Sequence, residues 1–202
     1  MTIEPVTLRG LSVQLEPMRA DHTDALTRVG LEPELWRWTQ TFIATPDDMS
    51  RYVLQALEEL SRGIALPFVI VAQPRGEVVG STRYGSVDLA NRRLEIGWTW
   101  ITPRYQRTAI NTEAKLLLLT HAFERLGTNR VELKTDALNQ KSRTAIARLG
   151  AVEEGTFRKH IVTSSGRVRD TVYYSIIDTE WPEVKARLES RLRGTPGEST
   201  LE

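Results

Sequence analysis

LEIGWTWITPRYQRTAINTEAKLLLL, Leu94 to Leu119, joins a strand to the most hydrophobic helix of the chain through a loop that carries two arginines. Alternation along its first part puts Leu94, Ile96, Trp98 and Trp100 on one strand face and Glu95, Gly97 and Thr99 on the other. A carboxylate and a glycine beside an apolar face suit a place where a ligand comes close; an edge strand with its polar side in water reads the same way. Thr102–Pro103 breaks the pairing, and a helix is predicted from about Asn111 to Leu126, closed by Gly127. Leu116, Leu119, Phe123 and Leu126 form its stripe, widened by Leu117 and Leu118, so it packs deep against a sheet. A helix N-cap needs one short polar side chain, not two arginines, a Gln, a Thr and an Asn. The N–H groups that open a helix attract anions, and Arg104 and Arg107 add a fork geometry that suits phosphate. A buried helix N-terminus just past a strand end is where α/β-type sheets hold phosphate ligands.

Outward from this stretch, LSVQLEP (Leu11–Pro17) alternates as a first strand, and Asp21 is the expected cap of a helix reaching about Val29. Trp36 and Trp38 fall in an irregular segment. Thr45, Pro46, the following acids and Gly63 delimit a second helix. Strand-like runs LPFVIVAQ and EVVGSTRYGSVDL flank the turn PRGE, and RRLEIGWTWI follows. Beyond the leucine-rich helix come a strand (RVELKTDA), a short helix ending at Gly150, a hairpin across TSSG and a helix from about Thr179 to Leu192. The order β-α-α-β-β-β-α-β-α-β-β-α predicts an α/β chain of α+β type, with a mixed sheet and helices on both faces. Residues 1–10 are read as a lead, 11–193 as one domain and 194–202 as a flexible tail rich in Gly, Pro, Ser and Thr.

Composition narrows the chemistry. The net charge of +1 gives no general attraction to nucleic acid or acidic membranes, so neither is expected as a partner. With no cysteine, thiolate catalysis, disulfides and Cys-ligated zinc are excluded; His22, His121 and His160 are scattered singly, so no metal site is expected. The first residues hold a Glu and no apolar core of a signal peptide, and no run approaches the length of a membrane span, so a cytoplasmic protein is expected.

The run from Leu94 to Lys159, and more loosely the chain from Leu11 to Ile177, resembles the GNAT acetyltransferases, specifically their RimJ/RimL-like branch. The family's Q/R-x-x-G-x-G/A segment maps onto Gln106-Arg107-Thr108-Ala109-Ile110-Asn111, and its second cofactor motif onto Asn139, Ser142, Leu149-Gly150-Ala151 and Glu154-Gly155. Both family glycines are replaced, by Ala109 and Asn111, and an Ala methyl intrudes where phosphate approaches. The resemblance implies a twisted, mostly antiparallel sheet of about seven strands and a direct attack of an amine on acetyl-CoA, with no metal. It also implies roles. Gln106 to Asn111, with Arg104 and Thr112, would hold the pyrophosphate, and Trp100, Ile101 and Thr102 would continue along the pantetheine arm. Asn139 would hold that arm and Arg143 reach a phosphate. Glu95 would serve as base through a water, Ser142 as donor to the leaving thiolate, and Trp36, Trp38 and Trp98 would line the acceptor entrance. Each has a plainer alternative: Glu95 paired with Arg92 or Arg93, Asn139 a helix cap, Ser142 first-turn filler, the tryptophans packing. The acceptor implied is a peptide or protein N-terminus or a small amine. The rival to catalysis is a non-catalytic acyl-CoA sensor with a degenerate phosphate loop. Aromatic-bearing late strands make a homodimer a candidate.

Overall fold

The structure, a computed structural model, describes residues 3–194. Its elements are β1 (Leu8–Arg9), β2 (Val13–Pro17), α1 (Thr23–Gly30), α2 (Pro46–Ser61), β3 (Leu66–Ala72), β4 (Glu77–Asp88), β5 (Arg93–Ile101), α3 (Ala109–Thr120), β6 (Arg130–Asp136), α4 (Gln140–Leu149), β7 (Val152–Val162), β8 (Val168–Ile177) and α5 (Trp181–Gly194). The strands form one sheet in the order β1-β2-β3-β4-β5-β6-β8-β7. Every neighbouring pair is antiparallel except β5 with β6. The sheet has eight strands where about seven were expected, because Leu8 and Arg9, inside the expected lead, pair with Leu15 and Gln14. Of the expected tail, only Gly194 lies among the described residues.

Two cores sandwich the sheet. On one face Leu94, Ile96, Val131, Leu133, Val172 and Ile176 pack under Leu118 and Leu119 of α3, Ile146 of α4 and Val184 and Leu188 of α5. On the other, Val69, Val71 and Trp100 meet Leu26 of α1, Met49, Tyr52 and Val53 of α2, and Trp36. α2 begins as its sequence dictates: Thr45 accepts the Asp48 N–H, and Asp48 reaches back to the Thr45 N–H at 2.9 Å. The first helix differs from expectation. A 3-10 turn at Ala20–His22 precedes it, and His22, not Asp21, occupies the cap.

β5 departs from simple alternation. Ser81 pairs with Trp100 but Arg83 with Gly97, so β5 spends one residue more than β4 across this interval. That is a bulge, and Trp98 takes the extra turn with φ of 49°. After it the faces swap: Trp100 lies in the α1–α2 core instead of beside Leu94 and Ile96, and Trp98 is 37% exposed. The shared face predicted for Leu94, Ile96, Trp98 and Trp100 holds only for the first two.

The second departure is a divergence. β5 and β6 pair only over Arg93–Glu95 with Arg130–Glu132. From Ile96 and Leu133 onward they separate, leaving a wedge through the sheet flanked by α3 and α4.

Candidate active site

The wedge opens into a cavity of about 320 Å³ lined by many elements of the fold. β5 supplies Glu95, Gly97, Trp98, Thr99 and Trp100, β6 supplies Lys134 and Thr135, and α4 brings Asn139 and Ser142. Trp36 and Trp38 come from the loop after α1, and Arg169 and Thr171 from β8. Residues chosen from distant parts of the sequence thus meet on one cavity: Glu95, Ser142, Asn139 and the tryptophans 36, 38, 98 and 100.

Glu95 is buried, and its Oε2 accepts from Lys134 Nζ at 2.9 Å and from Ser86 Oγ at 3.1 Å. The same Lys134 lies 3.2 Å from Glu132. Burial works against the Lys134 charge, but Glu95 and Glu132 outweigh it and hold its pKa above the ordinary lysine value. Glu95 therefore has an ion-pair partner, although not Arg92 or Arg93. A Cβ at the neighbouring Gly97 would come within 2.9 Å of Glu95 Oε1 and push the carboxylate aside. Trp98 lies under the Arg83 guanidinium at 5.0 Å, which Glu59 of α2 holds at 2.8 Å. The entrance is bridged: Ser164 N–H in the β7–β8 turn donates to Gln40 O at 3.1 Å, and Arg167 lies 5.4 Å over the Trp38 ring. Trp36 is buried, with Nε1 donating to Gly30 O at 2.7 Å, so it is a wall more than a gate.

At the helix entrance, α3 starts at Ala109, two residues before the predicted Asn111, because Thr108 Oγ1 caps it by accepting from Ile110 N–H. The other end also differs: the last turn, His121–Arg125, is π-helical. Gln106 donates to Ile101 O at 2.7 Å and accepts from Lys141 of α4, tying the loop to both flanking elements. Arg104 and Arg107 are exposed at this entrance, while Thr108, Asn111 and Thr112 are half-buried. The left-handed residue here is Arg107, with φ of 65°; Ala109 is helical. Loss of the family's first glycine thus costs no backbone conformation at Ala109, only the space of a methyl. Thr102 N–H is taken by Val79 O at 2.8 Å, so that donor is not free for a ligand.

On α4, Asn139 Oδ1 accepts from Ser142 N–H at 3.0 Å, the helix cap weighed as its alternative role. Its Nδ2 and the Ser142 hydroxyl keep no partner among the described residues and line the cavity. Arg143 is engaged elsewhere, with Tyr174 OH at 3.2 Å and Glu153 at 3.3 Å, contacts that must break before it reaches a phosphate. Sequence reasoning missed Lys134 and Arg169. The parity of Lys134 with Glu132 in RVELKTDA was a usable signal, but nothing local marks Arg169 as buried. It also missed Lys115 of α3, buried with its Nζ donating to Thr99 Oγ1 at 2.6 Å; burial draws its pKa down to about 7. Among the described residues no group of three or more His, Asp or Glu is placed to hold a metal ion.

A strand wedge beside a helix N-terminus has the form to take a long, phosphate-headed ligand. Residues 12–152, more than half of the chain, match the acetyltransferase (GNAT) domain family. The chain belongs to the GNAT acetyltransferases. It is similar to a Bacillus subtilis protein named "Putative ribosomal N-acetyltransferase YdaF", at 38% identity over 106 residues, which are 52% of this chain and 57% of YdaF. It thus spans little more than half the length of that relative. The uncharacterized N-acetyltransferase p20 of Bacillus licheniformis is 26% identical over 87% of this chain and 98% of its own length. Among solved structures, a GCN5-related N-acetyltransferase from Brucella melitensis superposes with a TM-score of 0.88 at 31% identity, covering 95% of this chain and 87% of its own. Mycobacterium smegmatis RimJ in complex with CoA-disulfide gives 0.81 at 27% identity, covering 93% and 95%. These likenesses place the GNAT chain in the RimJ/RimL-like branch, beside relatives named as N-acetyltransferases.

Proposed function

We propose that the protein moves an acetyl group from acetyl-CoA to a primary amine by direct attack within a ternary complex. The acceptor is a peptide or protein N-terminus or a small amine. The observation that carries this reading is the cavity itself, where the wedge between β5 and β6 brings Glu95, Asn139 and Ser142 to one space. The fit to the co-substrate rests on three features: the bare Gly97, the free Asn139 Nδ2 and Ser142 Oγ, and the arginine-flanked start of α3. When bound, acetyl-CoA supplies the activated acyl group as its thioester. Arg104, Arg107 and the amides of Ala109, Asn111 and Thr112 bind the diphosphate, with Gln106 fixing the loop that carries them, and Asn139 steadies the arm along with the Trp100–Ile101 edge.

The chain's own residues handle the protons. Glu95 takes the proton of the attacking amine through a water, and Lys134 holds its carboxylate in place. As the nitrogen–carbon bond forms and the carbon–sulfur bond breaks, Ser142 donates to the departing thiolate. A free amine is needed for attack. An α-amino group near pKa 8 costs about 1.4 kcal/mol to deprotonate at pH 7, against roughly 4.6 for a lysine near 10.4. One carboxylate base therefore suits an N-terminal amine better than a side-chain lysine. Trp36, Trp38 and Trp98 line the path by which that amine enters.

The protein is read as cytoplasmic; no helix among the described residues is long and apolar enough to cross a membrane. A second copy would meet the exposed Phe157, Val162 and Val168 of the β7–β8 hairpin, which sedimentation would register as a dimer. The deciding experiment pairs calorimetry of acetyl-CoA binding with acetyl transfer to an amine panel. Glu95→Gln and Ser142→Ala should each lower kcat at least tenfold while leaving acetyl-CoA affinity within twofold. Binding without any transfer would return the chain to the sensor reading.

A further inference from the structure

Arg169 is 5% exposed and lines the cavity. On β8, Val172, Tyr174 and Ile176 enter the core under α3 and α5, so Arg169 and Thr171 face the opposite side, toward the acceptor entrance. Its Nε donates to Thr171 Oγ1 at 3.1 Å and lies 4.0 Å from Asp136. That carboxylate is already committed, with Oδ2 to Arg167 and Oδ1 accepting from Leu138 N–H at 2.9 Å. Nη1 and Nη2 of Arg169 donate to no acceptor among the described residues. Burial lowers its pKa even though Asp136 and Glu95 pull the other way, as for a charge short of compensation. Around the cavity Lys134 is shared by Glu95 and Glu132, and Asp136 is held more closely by Arg167 than by Arg169. Arg169 is left with an open donor fork, and a buried guanidinium is costly unless its donors are met.

We propose that Arg169 is the anion-recognition group of the acceptor subsite, so that the amine acceptor carries a carboxylate close to the amine it presents to Glu95. This rests on the acetyltransferase reading above. A planar carboxylate matches both the two-pronged fork and the single charge of one guanidinium, whereas a phosphate dianion would leave one negative charge unmatched. The carboxylate can belong to an acidic side chain near a peptide N-terminus or to a free amino acid; the recognition chemistry is the same.

Acetyl transfer by the wild-type protein is measured on matched pairs. One set compares C-terminally amidated peptides beginning Ser-Asp with the same peptides beginning Ser-Asn; the other compares free amino acids with their amides. The acid member of at least one set should show a KM lower by roughly tenfold to a hundredfold, as hydrogen bonds to a charged group provide. Arg169→Gln should collapse that ratio toward one with the acetyl-CoA KM unchanged, and Arg169→Lys, which keeps the charge but not the fork, should restore part of it. Preference in the peptides alone identifies a side-chain carboxylate, and in the amino acids alone an α-carboxylate. Equal KM values within both sets, or a preference that survives Arg169→Gln in folded protein, overturn the proposal. Absence of transfer to every acceptor overturns the catalytic reading and this one with it, a different result from transfer without acid preference.

Discussion

Lys115 shows how much one residue can concede for a site. Its Nζ is buried, held by Thr99 and, at 3.5 Å, by Thr82, with no carboxylate partner among the described residues. Its folded pKa of about 7 lies below the unfolded lysine value of 10.5. Between those limits the unfolded chain binds the proton and the folded one does not, so stability rises with pH across that window. Below about pH 7 the full penalty applies, on the order of a few kcal/mol. Lys115→Met should therefore stabilise the fold at pH 6, and urea unfolding from pH 7 to 10 should show a flatter stability profile than wild type; parallel profiles would refute the assignment. Arg107 makes a smaller concession, with φ of 65° in a region that favours glycine. Arg107→Gly should leave stability within about 1 kcal/mol of wild type yet weaken acetyl-CoA binding severalfold in calorimetry, separating its backbone from its charge.

At the scale of elements, β4 and β5 approach too closely for any side chain at Gly80, where a Cβ would sit 2.0 Å from Trp100 O. Gly80→Ala must part the two strands and should cost about 3 kcal/mol or more in chemical denaturation. Gly85 is the instructive contrast. A Cβ there meets the Trp98 ring at 2.4 Å, and an exposed ring can swing aside. Gly85→Ala should alter acceptor KM with little loss of stability. These contacts also mark what the sequence could tell. The bounds of α2, β4 and β5 were legible because caps, proline and alternation fix them locally. The bulge at Trp98 was not, since an inserted residue looks like any other until its partner strand is known, and the swap of Trp100 to the other core followed from it. Likewise the cap at Thr108 was hidden by the more conspicuous Asn111. Of the residues that line the cavity, Glu95 stood out by strand alternation and, with Asn139 and Ser142, by family likeness, whereas Lys134 and Arg169 depend on pairing between strands far apart in sequence.

Across the whole molecule, Glu113 of α3 accepts the Leu11 and Ser12 N–H groups at 2.7 Å each, so the helix that opens onto the wedge also anchors the first strands. A ligand at the start of α3 should therefore stiffen the molecule broadly, and acetyl-CoA at 100 times its dissociation constant should add about 2.7 kcal/mol to unfolding; an unmoved melting temperature would argue against binding there. The parting of β5 from β6 has a kinetic counterpart. Because α3 and α4 lie on one face of the sheet and α1 and α2 on the other, the two proposed substrates have different faces from which to approach the cavity. On the proposed ternary-complex reading, either should be able to arrive first, and a saturating dose of one should leave the route of the other clear. Initial-rate plots should then intersect, with desulfo-CoA competing only against acetyl-CoA, whereas parallel lines would mean that the chemistry passes through the protein in two separate visits.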